Sequence, residues 1–280
     1  MHRKLQNRIL LAVTLASLVV ALGGCDKLKA RDKLNKGVQA YKAAQFDVAI
    51  EDFKEAKDLD PNLTNARLYL ATAYASQFIP GAPSDENMNL GKQAVAEFED
   101  ILKDDPNNLG AIDGVGSILY NMGANPFNEQ MLQQSKEYHL KHIALAPNDP
   151  EPYYWIAVID WSIAYHGNAE IREAYNKDSK KPLRETDPLP AKLATEYAQK
   201  YGSVIDEGID YAQKAIDRKS DYDDAMAYLN LLYRRKADTE TSAEARDADN
   251  QKADELVHKV QVIKQQRMLN PPGGAAQPSS

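Results

Sequence analysis

The sequence predicts an all-α chain built from stacked helical hairpins, and three observations carry that prediction. One spacing recurs four times: Ala49, Phe53, Ala56, Pro61; Ala94, Phe98, Ile101, Pro106; Ser135, His139, His142, Pro147; and Gly208, Ala212, Ala215, Ser220. Steps of 4 and 3 residues put the first three of each set on one helix face, and the step of 5 puts the fourth just past the helix end. Ten residues after each stop comes a small or short residue, Ala71, Gly116, Ala157 or Asn230, preceded by Leu70, Val115, Ile156 or Leu229. A small residue at a helix crossing lets two backbones approach closely. The 14 prolines fall almost wholly where they punctuate helices, and no long alternating run of Val, Ile and Thr appears.

Taken in order, the segment Ala30 to Leu63 shows the pattern most fully, with Gly37, Tyr41, Ala49, Phe53, Ala56 and Pro61 in register. It resembles the tetratricopeptide repeat (TPR), a helix-turn-helix unit of about 34 residues. The resemblance implies a TPR-like α-solenoid of about five hairpins, at 30–63, 64–108, 109–149, 150–222 and 223–269, within a domain spanning 30–269. Asp60-Pro61-Asn62, Asp105-Pro106-Asn107 and Ala146-Pro147-Asn148 read as turns, each with an N-cap candidate for the next helix.

Later hairpins depart from the pattern in one place, between the small residue and the second helix. That distance is 12 residues from Gly37 to Ala49, 23 from Ala71 to Ala94, 19 from Gly116 to Ser135 and 51 from Ala157 to Gly208. The insertions fall at hairpin tips, where they leave a stacked core undisturbed. In the second hairpin Ser84 caps a helix from Asp85. In the fourth, residues His166 to Ser203 predict two long helices joined by a loop around Lys180-Lys181-Pro182 and Asp187-Pro188-Leu189-Pro190. The fifth hairpin starts at Asp223 and ends in an extended helix, roughly Asp247 to Leu269, with Leu256, Val260 and Ile263 on its packing face. Residues 270–280, with three prolines, read as a disordered tail.

The amino terminus is different in kind. Arg3, Lys4 and Arg8 precede an uncharged run from Ile9 to Gly24, too short for the roughly 20 residues of a membrane-spanning helix. A basic stub, an apolar core and small residues before a cut make a secretory signal. Leu22-Gly23-Gly24-Cys25 resembles the lipobox of bacterial lipoproteins, which implies cleavage of residues 1–24, a diacylglyceryl thioether on Cys25 and a lipid-anchored linker over 25–29. Cys25 is the only cysteine, so the chain has no internal disulfide although it is read as exported. Several acyl chains give effectively permanent anchoring. Asp26 implies inner-membrane retention by a rule that holds only in some bacteria, so the membrane is left open.

Loss of residues 1–24 removes three cations and no acid, taking the formal charge from -7 to -10. An acidic domain repels phosphates, which argues against nucleic acid as a partner. Candidate chemistry is sparse. His139 and His142 share a helix face and His166 follows in the next hairpin, but the first two stand where the repeat packs core residues. Asp104-Asp105, Asp149 and Asp223-Asp224 are read as acids at helix starts. Gly114-Val115-Gly116 lies within a helix and reads as close packing, with no phosphate-cradling loop elsewhere. Neither an enzyme nor a cofactor or metal is expected.

A stacked repeat offers a surface lined by the first helix of each hairpin. Here it is read as Leu34, Val38 and Tyr41; Leu68, Thr72 and Ala75; Asp113, Ser117 and Tyr120; Tyr154, Val158 and Trp161; and Leu231, Arg234 and Arg235. The groove candidates are thus Tyr41, Tyr120, Tyr154, Trp161, Arg234 and Arg235, with Trp155, Tyr154 and Trp161 alternatively packing against the fourth insertion. Two functions stay open: a membrane-anchored adaptor that holds a segment of another envelope protein for assembly, secretion or transport, and a periplasmic lipoprotein that holds a small or apolar ligand for a transport system. The sequence sets no oligomeric state.

Overall fold

A computed structural model of the protein describes residues 25–82 and 84–269, so the segments read above as an export signal and as a tail, 1–24 and 270–280, lie outside the described residues. Among the described residues there are ten helices and no strand, arranged as TPR-like helical hairpins. They divide into two compact units, Met1–Met122 and Gly123–Ser280. No helix among them is long and apolar enough to cross a membrane.

In the first unit, α1 (residues 25–42) and α2 (Phe46–Leu59) make the first hairpin, and α3 (Thr64–Gln77) and α4 (Asp85–Asp104) make the second. The helix α5 (Leu109–Ala124) follows. Each repeated residue does the work its spacing suggests. Ala49, Phe53, Ala56, Ala71 and Ala94 are fully buried and Phe98 nearly so. A Cβ on Gly37 would stand 2.5 Å from the Phe53 ring, and one on Gly114 2.5 Å from the Phe98 ring. Both rings pack against helix backbone that only glycine leaves bare. Gly116, the residue singled out by the ten-residue offset, is buried as well. Phe53→Ala should lower the stability of this unit by about 3–5 kcal/mol, read as a fall in its urea midpoint at unchanged slope.

The stops also fall where the pattern puts them. Pro61, Pro106 and Pro147 are exposed and stand two residues beyond α2, α4 and α6 (Glu129–Leu145). Before each, the C-cap N–H donates back to the helix: Asp60 to Ala56, Asp105 to Ile101 and Ala146 to His142. The caps of the following helices lie one or more residues later than Asn62, Asn107 and Asn148. Asn108 accepts from Ala111 N at 3.1 Å, Asp149 accepts from Glu151 N at 3.0 Å, and α3 starts behind Leu63, which has no side chain to cap with. Ser84 caps α4 as expected, accepting from Asn87 N. Asn87 closes the insertion before it, accepting from Ile79 N and donating to the carbonyls of Ile79 and Ala82.

Two acids are not where the sequence suggests, since Asp105 is the C-cap of α4 and the next helix is capped by Asn108. Asp104 ends α4 instead of starting a helix, and there the buried Arg67 guanidinium of α3 reaches it at 2.6 Å and Asp100 at 2.8 Å.

In the second unit α6 packs on α7 (Glu151–Asp178), α7 packs along α8 (Ala191–Arg218), and α9 (Asp223–Ala237) pairs with α10 (Ala243–Leu269). The fourth insertion is thus the continuation of α7 and α8 beyond the hairpin, joined by residues 179–190. Tyr197 of α8 is fully buried and donates to the Ala164 carbonyl at 2.8 Å, and Gly167 makes room for the Tyr201 ring. Ala157 and Ala215 are fully buried at the helix crossings. The last helix begins a turn earlier than its apolar pattern indicates, because Ser242 caps it by accepting from Ala245 N. Leu256, Val260 and Ile263 of α10 pack against Leu229 and Leu232.

Candidate functional site

Each unit brings part of the predicted lining together on one face. In the first, Leu68 and Thr72 of α3 and Asp113 and Ser117 of α5 do come together, around an open hollow of about 530 Å³ that also includes Tyr69, Phe98, Gly110 and Gly114. The close approach at Gly114 sets its floor, which is the Phe98 ring. Tyr69 stacks on Phe53 at 5.5 Å, so this rim is fixed by the core beneath it. Thr72 donates its hydroxyl to the Leu68 carbonyl, leaving its methyl group available for contact. Tyr41 stands elsewhere in the unit, its hydroxyl 2.7 Å from Ser76 Oγ and its ring edge-on to Phe46. Leu34, Val38, Ala75 and Tyr120 are all partly exposed.

The second unit presents a row of rings. Tyr154, Trp161 and Tyr165 of α7 lie 7 and 4 residues apart and share one stripe of the helix. Tyr228 of α9 inserts between the first two, edge-on to Tyr154 at 5.6 Å and to Trp161 at 5.4 Å. Tyr222 extends the row beyond Tyr154 at 5.2 Å, and Tyr165 continues it beyond Trp161 at 5.1 Å. Edge-to-face pairs of this kind stabilise by about 0.5–1.5 kcal/mol each beyond burial, so the row is held rigid. Val158, counted with this lining, is buried instead: it sits between Tyr154 and Trp161 in sequence but turns toward the core. Tyr154 and Trp161 meet rings of α9 and of the α8–α9 loop, and on α7 itself Tyr154 meets Trp155 and Trp161 meets Tyr165.

Arg235 lies at the Tyr165 end of the row, its guanidinium 5.8 Å from that ring and paired with Asp238 at 3.2 Å. With Leu231 and Arg234 it lines a hollow of about 330 Å³ against Glu185, Thr186 and Pro188 of the α7–α8 loop. Arg234 is engaged by Asp254 and Asn230.

Two polar networks behind these faces escape sequence reasoning. In one, buried Arg172 donates to Asn168 Oδ1, to the carbonyls of Arg184 and Asp187, and to Asp238 Oδ1. It pins the loop that walls the arginine hollow. Burial pushes the Arg172 guanidinium down and the Asp238 carboxyl up. In the other, Lys136 of α6 bridges Asp160 of α7 at 2.8 Å and Glu207 of α8 at 2.7 Å. Asp160 is fully buried, and burial pushes its carboxyl up to about 7 against the pull of Lys136. The available signal was Asp160 itself, a lone charge inside the apolar run Ile156 to Ala164.

The histidines do not assemble. His139 and His142 are buried, His139 stacked on Trp155 at 6.0 Å and lowered to about 4 by burial and then by His142. His166 stacks on Phe127. Among the described residues no group of three His, Cys, Asp or Glu side chains is placed to hold a metal ion. Cys25 is exposed at the start of α1, with a free thiol.

No family model and no curated protein sequence matches the chain. Solved structures do. A crystal structure of MamA protein is similar at a TM-score of 0.54 and 16% identity, covering 88% of this chain and 98% of that one. MamA residues 41 to the end from Desulfovibrio magneticus RS-1 gives a TM-score of 0.54 and 18% identity over 85% of this chain and 97% of that one. YrrB, described as a TPR protein with an unusual peptide-binding site, gives a TM-score of 0.49 and 15% identity over 85% of this chain and 87% of that one. At such identities the two MamA structures establish a shared fold and nothing more.

Proposed function

We propose that the protein is a lipid-anchored scaffold of the bacterial cell envelope, which holds an extended segment of another envelope protein and serves an assembly, secretion or transport machine. The observation that carries the reading is the row Tyr222, Tyr154, Tyr228, Trp161 and Tyr165, whose middle three rings are partly exposed although each is held by aromatic neighbours on both sides. Rings fixed in place lose little freedom when a partner lies across them, which is why Tyr and Trp dominate binding energy at interfaces. The hollow over Phe98 offers a second contact of mixed character, with the Asp113 carboxylate and Ser117 hydroxyl on its rim. The basic stub, the apolar run and the lipobox-like ending at Cys25 support export and anchoring, with the domain on the periplasmic side as part of this reading.

The test is capture of the lipidated protein from crosslinked membranes, in parallel with Trp161→Ala and Tyr154→Ala. One envelope protein should be recovered with the parent and reduced at least about tenfold with Trp161→Ala, as expected for loss of an interface residue worth 1.4 kcal/mol or more. Equal recovery from parent and both variants removes the aromatic row from the reading, and a small molecule in place of a protein overturns the scaffold.

A further inference from the structure

We infer that the outward face of the first two turns of α1 is a membrane-contact surface for anionic phospholipid headgroups, lying beside the acyl chains on Cys25. The inference rests on the proposed lipidation and adds to it: the lipid would fix where the chain is held, and this face would fix how closely the helix lies on the bilayer.

Charge supports it first. Residues 25–36 contain Lys27, Lys29, Arg31, Lys33 and Lys36 against Asp26 and Asp32, a cationic stretch in a chain whose net charge is -7. Geometry then sorts these cations. Ala30 and Gly37 are buried, which fixes the inward side of α1. Lys33 is drawn inward to Asp52 at 2.9 Å and Glu55 at 2.6 Å, and Lys36 is paired with Asp32 at 2.8 Å. Lys27, Lys29 and Arg31 are left exposed. Lys29 has only a 3.9 Å approach to Asp26 between two exposed side chains, and among the described residues Lys27 and Arg31 have no ion-pair partner.

The apolar part is placed to match. Leu28 is 72% exposed, opposite the buried Ala30 side, and lies one turn from Cys25 on the same face. An exposed leucine flanked by cations, one turn from an acyl anchor, is the arrangement an interfacial helix uses: the apolar side chain enters the headgroup boundary and the cations meet phosphates. Each cation close to an anionic surface contributes about 1 kcal/mol, an effect that fades within a Debye length. The rest of the chain is acidic and is repelled by the same surface, so contact is confined to this face.

The test uses the lipidated protein reconstituted into vesicles of phosphatidylcholine alone or of phosphatidylcholine with phosphatidylglycerol. An amine-reactive reagent is applied from outside, and modification of each lysine is read by mass spectrometry. Labelling of Lys27 and Lys29 should fall about fivefold on the phosphatidylglycerol vesicles at low salt and recover at high salt. Lys42, exposed at the far end of α1, should label equally on both. In Lys27→Gln/Arg31→Gln, Lys29 should return toward its phosphatidylcholine value. Equal labelling of Lys29 on the two vesicles overturns the inference. The mass of the N-terminal peptide reports separately on the anchor: an unacylated Cys25 overturns the lipidation, whereas an acylated Cys25 with unprotected lysines leaves the anchor and removes the contact face.

Discussion

Lys136→Met is expected to destabilise the second unit by about 3–5 kcal/mol, the usual result of removing one member of a buried ion pair. Among the described residues Lys136 is the only cation reaching the fully buried Asp160, and it also holds Glu207. Its loss leaves Asp160 with neither a compensating charge nor its hydrogen-bond donor among α6, α7 and α8, and the acid must then hold a proton to still higher pH. A double variant, Lys136→Met with Asp160→Leu, should recover much of the loss, because an apolar pair of similar volume avoids the desolvation cost. Urea denaturation of the parent and both variants measures the difference.

Asp160 and His139, both buried in the second unit, set a pH dependence with two opposing parts. Asp160 is raised from 3.8 to about 7, so the folded state holds a proton that the unfolded state releases between those values. Its contribution to stability is present at low pH and lost as pH rises toward 7. His139 is lowered from 6.5 to about 4, so there the unfolded state takes up the proton first. Its contribution is present above 6.5 and lost as pH falls toward 4. Between about pH 4 and 6.5 the two cancel in part. Asp160→Asn should therefore expose a stability that rises with pH through this window, and His139→Phe one that falls, each at a slope approaching 1.4 kcal/mol per pH unit. Parallel pH profiles in parent and both variants would show that neither group titrates with folding.

Arg172→Met is the second large effect. The arginine makes four hydrogen bonds, two of them to the carbonyls of Arg184 and Asp187, and a charged hydrogen bond of this kind is worth about 1.5–3 kcal/mol. These bonds are not additive, but a loss of about 3 kcal/mol or more is expected. The damage should concentrate in residues 179–190. Tryptic cleavage after Lys180 and Arg184 should accelerate at least tenfold, since cutting follows the population of the opened loop and about 1.4 kcal/mol gives a factor of ten. Uniform cleavage along the chain would instead indicate global unfolding.

The hairpins were legible in the sequence because their determinants are local. A proline two residues past a helix and a 4-3 stripe of small and aromatic residues are fixed by backbone geometry, so Phe53, Phe98 and Pro106 announced their roles. Even the two long helices of the fourth insertion could be read, since their break needs only prolines and a run of polar residues. What stayed hidden depends on residues far apart in the chain. Arg172 meets Asp238 across 66 positions and Lys136 meets Asp160 across 24. Nothing near Lys136 marks it as buried, and Asp104 looked like a capping residue until Arg67 arrived from another helix. The lining was partly readable for a related reason: helical counting placed Leu68, Thr72, Asp113 and Ser117 on a common hollow, but it could not separate Val158, which turns inward, from Tyr154 and Trp161.

The insertions close their own hydrogen bonds. Asn87 satisfies the backbone of residues 79–82 from the first turn of the helix that follows, and Arg172 satisfies that of residues 184–187 from the helix that precedes. Asn176 adds a second hold on the latter loop, donating to the Leu183 carbonyl and accepting from its N–H. Each excursion is therefore a module sealed by a few side chains at a hairpin tip, and its length is free to drift so long as those clasps are kept. Replacing residues 79–83 or 179–190 by a short turn, together with the matching clasp residues, should leave the underlying stack intact, which makes these two sites the natural points for exchanging one specificity for another.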